Sequence, residues 1–210
     1  PIVLLPDGSE NGDNSNSQND GGDTMDVQRA WWNRREDGSH ENVIDTFEYI
    51  FEQTKGKDYN AILGFSQGGL LGTALVLTGR FPSVKAVLTA GSPHHSDPFI
   101  VAEQLAAEFA TTNNDFVGCD GGGMGDVTNA DDTCDDKDLL KAKVINAGRS
   151  IPKVHFAGVT DAMVPSSSTQ LLCEVGGTGR IIEHEKGHMF PTKAAHVAEM
   201  LDFFDRTLNS

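Results

Sequence analysis

Gly64-Phe-Ser-Gln-Gly68 sets a serine between glycines two residues to either side, directly after the apolar run Ala61–Phe65 and directly before Leu70–Leu77. A strand, a sharp turn and a helix in that order push the serine into a strained backbone conformation with its Oγ exposed at the carboxyl end of a sheet. Flanking glycines are needed because a Cβ there collides with the adjoining strand and helix. The N–H of Gln67, at the helix start, then points to where negative charge develops on an attacked carbonyl oxygen.

A serine hydroxyl becomes nucleophilic only when a base takes its proton, and that base needs an acid to fix its tautomer. After a turn of this type the chain order is serine, acid, histidine. Asp161 follows the run Lys153–Gly158 in Gly158-Val-Thr-Asp-Ala-Met-Val-Pro165, and His188 follows Arg180–His184 in Glu185-Lys-Gly-His-Met-Phe-Pro191. Both sit just past a strand's carboxyl end, where such sheets collect their sites. The expected catalytic set is therefore Ser66, Asp161 and His188.

Other histidines fit less well. His94 and His95 precede any usable acid and suit a pocket-lining or loop role; His155 and His184 lie within strand runs, and His40 and His196 are expected on helices. Glu183 and Glu185 flank a strand and are poorly placed to face His188. Trp31, Trp32 and Val164 are candidate linings of an acyl pocket, although two adjacent tryptophans suit core and rim packing equally. No metal or other cofactor is expected. The segment opening at Asp7 starts like a calcium loop, but Gln18 stands where the bidentate glutamate belongs.

These residues need a frame that brings strand ends together. Ile2–Leu5 reads as a buried strand stopped by Pro6-Asp-Gly8, and Ser39 as the cap of a helix with Val43, Ile44, Phe47, Ile50 and Phe51 at helical spacing. The elbow strand and a helix ending at Gly79 follow. Further strands are expected at Val84–Ala90, Lys153–Gly158 and Arg180–His184. Helices are expected around Ile100–Ala110, over 167–174 and over Ala194–Leu208, the last with Val197, Leu201 and Phe204 on one face. Alternating strands and helices predict an α/β fold, a mostly parallel sheet with helices on both faces.

The chain has 210 residues, enough for a single domain over 1–210. Its net charge of −15 argues against a nucleic-acid partner, since phosphate binding needs a basic face. Residues 7–26 carry six acids and no base, and residues 115–138 carry eight Asp against Lys137, so these two stretches hold −13 of the −15. Both are rich in Gly and Asn, and 7–26 and 112–138 are read as solvated loops. No apolar stretch reaches the ~18–20 residues of a membrane span, so no membrane insertion is expected. Three cysteines form no framework or zinc spacing and no glycosylation sequon is present, which favours a cytoplasmic setting; Cys119 and Cys134 could pair only if the chain were secreted.

With Arg29-Ala-Trp-Trp32, Gly64-Phe-Ser-Gln-Gly-Gly69, Gly158-Val-Thr-Asp161 with Val164-Pro165, and Gly187-His-Met-Phe-Pro191, the chain resembles the FSH serine hydrolases. That family includes ovarian-cancer-associated esterases and fungal polyketide thioesterases. The resemblance implies an α/β-hydrolase fold and a cofactor-free ester or thioester hydrolase whose triad falls on Ser66, Asp161 and His188. It also implies an earlier strand with a His-Gly loop supplying a second oxyanion donor; none precedes Ser66, so the chain is expected to be truncated upstream of Pro1. Acyl-protein thioesterases share Gly-Phe-Ser-Gln-Gly-Gly and form the nearest alternative. A hydrolase-fold binding protein with little turnover is the other, because losing one oxyanion donor costs ~10²–10³ in rate.

Overall fold

Runs rich in apolar residues on both faces become central strands, because a parallel sheet covered on both faces leaves neither side of the strand to water. Ala86–Ala90 and Lys153–Gly158 are buried throughout. The computed structural model describes residues 2–5, 30–112 and 133–209. Strands β1 (Ile2–Leu5), β4 (Ala61–Phe65), β5 (Ala86–Ala90), β6 (Lys153–Gly158) and β7 (Gly179–His184) form one sheet in that spatial order. Every neighbouring pair is parallel, with Leu63 beside Leu88, Leu88 beside Val154, and Val154 beside Arg180. A separate two-stranded antiparallel ribbon pairs β2 (Asn33–Arg34) with β3 (His40–Glu41).

Side chains alternate across the sheet and build two cores. Ile62 and Val87 join Phe47 of α1 (Val43–Thr54), Leu70 and Leu71 of α2 (Gln67–Leu75), Leu105 of α3 (Ser96–Thr112) and Leu172 of α5 (Ser166–Gly176). On the other face Ala86, Leu88, Val154 and Phe156 meet Phe203 of α6 (Ala194–Leu208). Helices thus cover both faces, as the alternating pattern predicts. From Gly68 to Leu75 α2 is buried all round, which suits a helix at the centre of its layer. Among the described residues no helix is long and apolar enough to cross a membrane.

Several local expectations are corrected. Ser39 does not cap α1; Asp37 and Gly38 turn the β2–β3 ribbon, with Gly38 at φ +87 and the Ser39 hydroxyl donating to Asp37 Oδ1 at 2.6 Å. The Asp-Gly turn wins over the serine cap, His40 falls in β3 rather than on a helix, and α1 starts after Asn42. Helix α3 runs longer than expected at both ends. Helix α6 is rotated relative to the expected stripe: Phe203 is 7% exposed, whereas Val197 and Leu201 are 39% and 65% exposed, and of the expected residues Phe204 packs against the core. His196, Met200 and Phe203 share the same helical period and bring an aromatic side chain onto the sheet, with His196 edge-on to Phe156.

A helix absent from the sequence reading, α4 (Thr133–Ser150), packs against α3 and the 3-10 turn Val76–Thr78 that follows α2. Its low apolar content hid its period. The stretch read as a loop over 112–138 therefore includes the last residue of α3 and the first turns of α4. Residues 7–26, Arg29, Cys119 and the remainder of the acidic stretch lie outside the described residues.

Candidate active site

Ser66 sits between the end of β4 and the start of α2 with φ 53 and ψ −128, a left-handed conformation that a side chain rarely adopts. Close packing enforces it. A Cβ on Gly64 would lie 2.5 Å from the Gly68 carbonyl oxygen, and one on Gly69 would lie 1.9 Å from Ser92 Oγ. Steric crowding thus falls on the first glycine of the motif and on the residue after its last.

Asp161 lies in the loop after β6, its side chain fully buried. Its Oδ1 accepts the N–H groups of Met163 at 2.9 Å and Val164 at 2.8 Å, and its Oδ2 lies 2.8 Å from His188 Nδ1. Burial alone would raise its pKa. The Val164 N–H, the His188 ring and the Met163 N–H outweigh that and hold the carboxyl below the usual range, so it is ionised at neutral pH. A carboxylate can only accept, so His188 Nδ1 carries the proton and Nε2 offers its lone pair. That Nε2 lies 3.0 Å from Ser66 Oγ.

His188 lies in the loop after β7, with Phe65 of β4 against its ring at a centroid distance of 4.8 Å. The loops carrying Asp161 and His188 are tied together: Val159 N–H donates to the His184 carbonyl at 2.8 Å and Thr160 Oγ1 to the Glu185 carbonyl at 3.2 Å. Glu185 turns away toward Lys193 at 2.6 Å, which leaves Asp161 as the acid on the ring. Three residues separated by up to 122 positions thus form one hydrogen-bonded line across the carboxyl ends of β4, β6 and β7.

Gln67 is the first residue of α2, so its main-chain N–H has no intrahelical acceptor. Its side chain does something the sequence did not suggest. The Gln67 Oε1 accepts the N–H of Trp31 at 3.0 Å and its Nε2 donates to the carbonyl of Trp32 at 3.4 Å. The two indoles are buried, 7% and 2% exposed, within the core that includes α1 and α2. Between packing and pocket lining, the structure puts both rings on the packing side. Val164 is likewise buried, and its contact with the site is its N–H on Asp161.

The histidines set aside on chain order fall elsewhere. His94 donates its N–H to Ser168 Oγ at 2.9 Å and stacks on Phe99. His95 packs on His40 at 4.5 Å, and burial, followed by the neighbouring His40, Arg34 and His94, pushes its pKa down to about 4. His155 is wholly buried beside Thr89 Oγ1 at 2.9 Å. An Asp-x-Met turn, in which an Asp side chain takes the N–H two residues on, was the one available signal for Met163.

The sequence profile described as Serine hydrolase (FSH1) matches residues 3–200. Two proteins named as esterases, from Drosophila pseudoobscura pseudoobscura and Drosophila melanogaster, are each 24% identical over 192 and 193 residues. The match covers 86% of this chain and 53% and 55% of theirs, so the chain spans about half the length of these curated relatives. Among solved structures, acyl-protein thioesterase 2 of Zea mays superposes with a TM-score of 0.53 at 11% identity, covering 85% of this chain and 72% of that one. At that identity the likeness speaks for the fold alone, which is the α/β-hydrolase fold.

Proposed function

Because the chain belongs to the FSH1 serine hydrolase family, we propose that it cleaves carboxylic esters or thioesters through an acyl-Ser66 intermediate on a single α/β-hydrolase domain. The observation carrying this is the hydrogen-bonded line from Ser66 Oγ through His188 to the ionised Asp161. As Ser66 Oγ bonds to the acyl carbon, its proton passes to His188 Nε2 and the carbonyl π electrons move onto oxygen, facing the Gln67 N–H. Asp161 holds the ring in the reactive tautomer and stabilises the imidazolium. The C–O or C–S bond then breaks, the leaving alcohol or thiol taking the proton from His188. Water repeats the sequence in reverse roles and releases the acid.

No step in this sequence requires a metal or other cofactor. The substrate is a small acyl ester or thioester, and with a net charge of −15 no nucleic-acid partner is proposed. The absence of a regular cysteine framework supports a cytoplasmic location. Turnover of a short p-nitrophenyl ester, together with labelling by a fluorophosphonate, tests the function. Wild type should do both and Ser66→Ala neither; wild-type protein that labels without turnover would identify a binding protein, and Ser66→Ala with near-wild-type turnover would reject Ser66 as nucleophile. Comparing matched oxygen and sulfur esters separates esterase from thioesterase.

A further inference from the structure

The β2–β3 ribbon and the tryptophans before it are not part of the main sheet, and a two-stranded ribbon is marginal on its own. Side chains fasten it at three points. Asp97 Oδ2 accepts the N–H of His40 at 2.7 Å and meets its ring Nδ1 at 2.9 Å, Thr46 Oγ1 donates to the Trp31 carbonyl at 2.6 Å, and Gln67 takes both Trp31 N–H and Trp32 carbonyl. The last attachment is different in kind, because Gln67 also carries the N–H assigned above to the developing oxyanion.

Resting on the hydrolase function proposed above, we propose that the Gln67 side chain is a positioning element for catalysis. It anchors the nucleophile turn to the Trp31–Trp32 backbone and so fixes the direction of its own main-chain N–H. An amide is the group suited to this, since it accepts from an N–H with one atom and donates to a carbonyl with the other; a carboxylate lacks the donor, and a thioether of the same length lacks the donor and accepts only weakly. With its amide held by an outside segment, rotation of the Ser66–Gln67 peptide drags three side-chain torsions against two hydrogen bonds. The N–H is thereby aimed before substrate arrives, and preorganised donors act on the transition state rather than on ground-state binding. The effect therefore belongs in kcat and not in KM, and it is independent of acyl length.

Gln67→Met keeps the main-chain N–H and roughly the side-chain volume while removing the bond to the Trp32 carbonyl and leaving the Trp31 N–H at most a weak sulfur acceptor. The chain contains two tryptophans, both in the anchored segment, so intrinsic emission reports the anchor without reference to activity. Expected for Gln67→Met are a red-shifted, more acrylamide-quenchable emission and a fall in kcat of about 10-fold or more, the range below loss of a whole donor. KM should stay within about 3-fold for acetyl, butyryl and octanoyl esters alike. Thr46→Val, which frees the same segment from its other side, should give a smaller change of the same form and serves if Gln67→Met does not fold.

Wild-type kcat in both variants overturns the proposal, as does a loss confined to KM or to long acyl chains, which would make Gln67 a pocket wall. A kcat loss with unchanged emission overturns it too. If wild type turns over no ester, the rate of fluorophosphonate labelling replaces kcat, because phosphonylation also builds charge on an oxygen. Wild type that neither turns over nor labels defeats the hydrolase function itself; unchanged emission in Gln67→Met then defeats the anchor separately.

Discussion

Asp161 holds His188 with one carboxylate oxygen and its own loop with the other: Oδ2 lies 2.8 Å from Nδ1, while Oδ1 takes two backbone N–H groups at 2.8 and 2.9 Å. One side chain therefore sets both the geometry of the loop and the tautomer of the ring. In Asp161→Asn the amide NH₂ can face Nδ1 and stabilise the tautomer with its proton on Nε2, which cannot accept from Ser66. Turnover should fall by about 10³–10⁴ with folding intact. Adding Ser66→Ala to it should cost almost nothing more, because residues acting as a unit are not additive. Independent, multiplying losses in steady-state kinetics would mean that the line does not work as one device.

Backbone strain at Ser66 yields a second expectation. With φ 53 and ψ −128, the serine occupies a conformation that costs of order 1–3 kcal/mol for a residue with a Cβ. Ser66→Gly removes that cost at the expense of a more flexible unfolded chain, so the inactive variant should be more stable than wild type by about 1 kcal/mol. Urea denaturation checks it, and a less stable Ser66→Gly would show that the turn is not strained.

Stability should also depend on pH through buried histidines. Burial, with Lys153 adding to it, holds His155 down to about 4, and His95 is held at about 4 by burial and its basic neighbours. An unfolded histidine titrates near 6.5, so between about 6.5 and 4 the unfolded chain binds more protons than the folded one. The stability these groups contribute is present above about pH 6.5 and is lost as pH falls toward 4. Each proton adds a slope of about 1.4 kcal/mol per pH unit where it titrates fully. His155→Gln should flatten the slope by up to that amount, and parallel stability curves for variant and wild type would count against it.

Lys153 supplies a structural test away from the site. Its ammonium, on a residue 2% exposed, donates to the carbonyl of Gly148 in the last turn of α4 at 2.9 Å and to that of Ile151 just past the helix at 2.8 Å. Burial pushes its pKa down to about 8. Lys153→Met removes both bonds, leaving the Ile151 carbonyl without this donor and the Gly148 carbonyl with the Ile151 N–H at 3.4 Å, and each unsatisfied buried polar group costs about 1–3 kcal/mol. A loss of about 2 kcal/mol or more is expected in thermal or urea unfolding. Ester turnover of the folded variant should hold, since Lys153 begins β6 and the site lies at its other end; an equally stable variant would show that α4 does not depend on this contact.

Much of the frame was legible because local rules and tertiary demands agree there. Lys153–Gly158 is buried along its length and interior to the sheet, with Val154, Phe156 and Ala157 supplying the apolar signal, and its strand bounds match those expected from sequence. Gly64, Ser66 and Gly68 betray the elbow by their spacing between an apolar run and a helix, and the crowding found at Gly64 and Gly69 shows why the turn is glycine-rich. Chain order and strand ends were sufficient to select Asp161 and His188 from the other acids and histidines, and the structure brings both to Ser66.

What the sequence left open depends on partners distant in the chain. Helix period alone allows two stripes on α6, and only the sheet's Phe156 selects His196, Met200 and Phe203 over Val197 and Leu201. A serine near Val43 can cap a helix or brace a turn, and the pull of Asp97 on His40, 57 residues away, belongs to the second arrangement. The Gln67 side chain is identical on paper whether it faces water or holds Trp31 and Trp32, 36 and 35 residues earlier. Hydrogen bonds carry no sequence periodicity, so these choices became definite only when the folded backbone brought donor and acceptor within 3.5 Å.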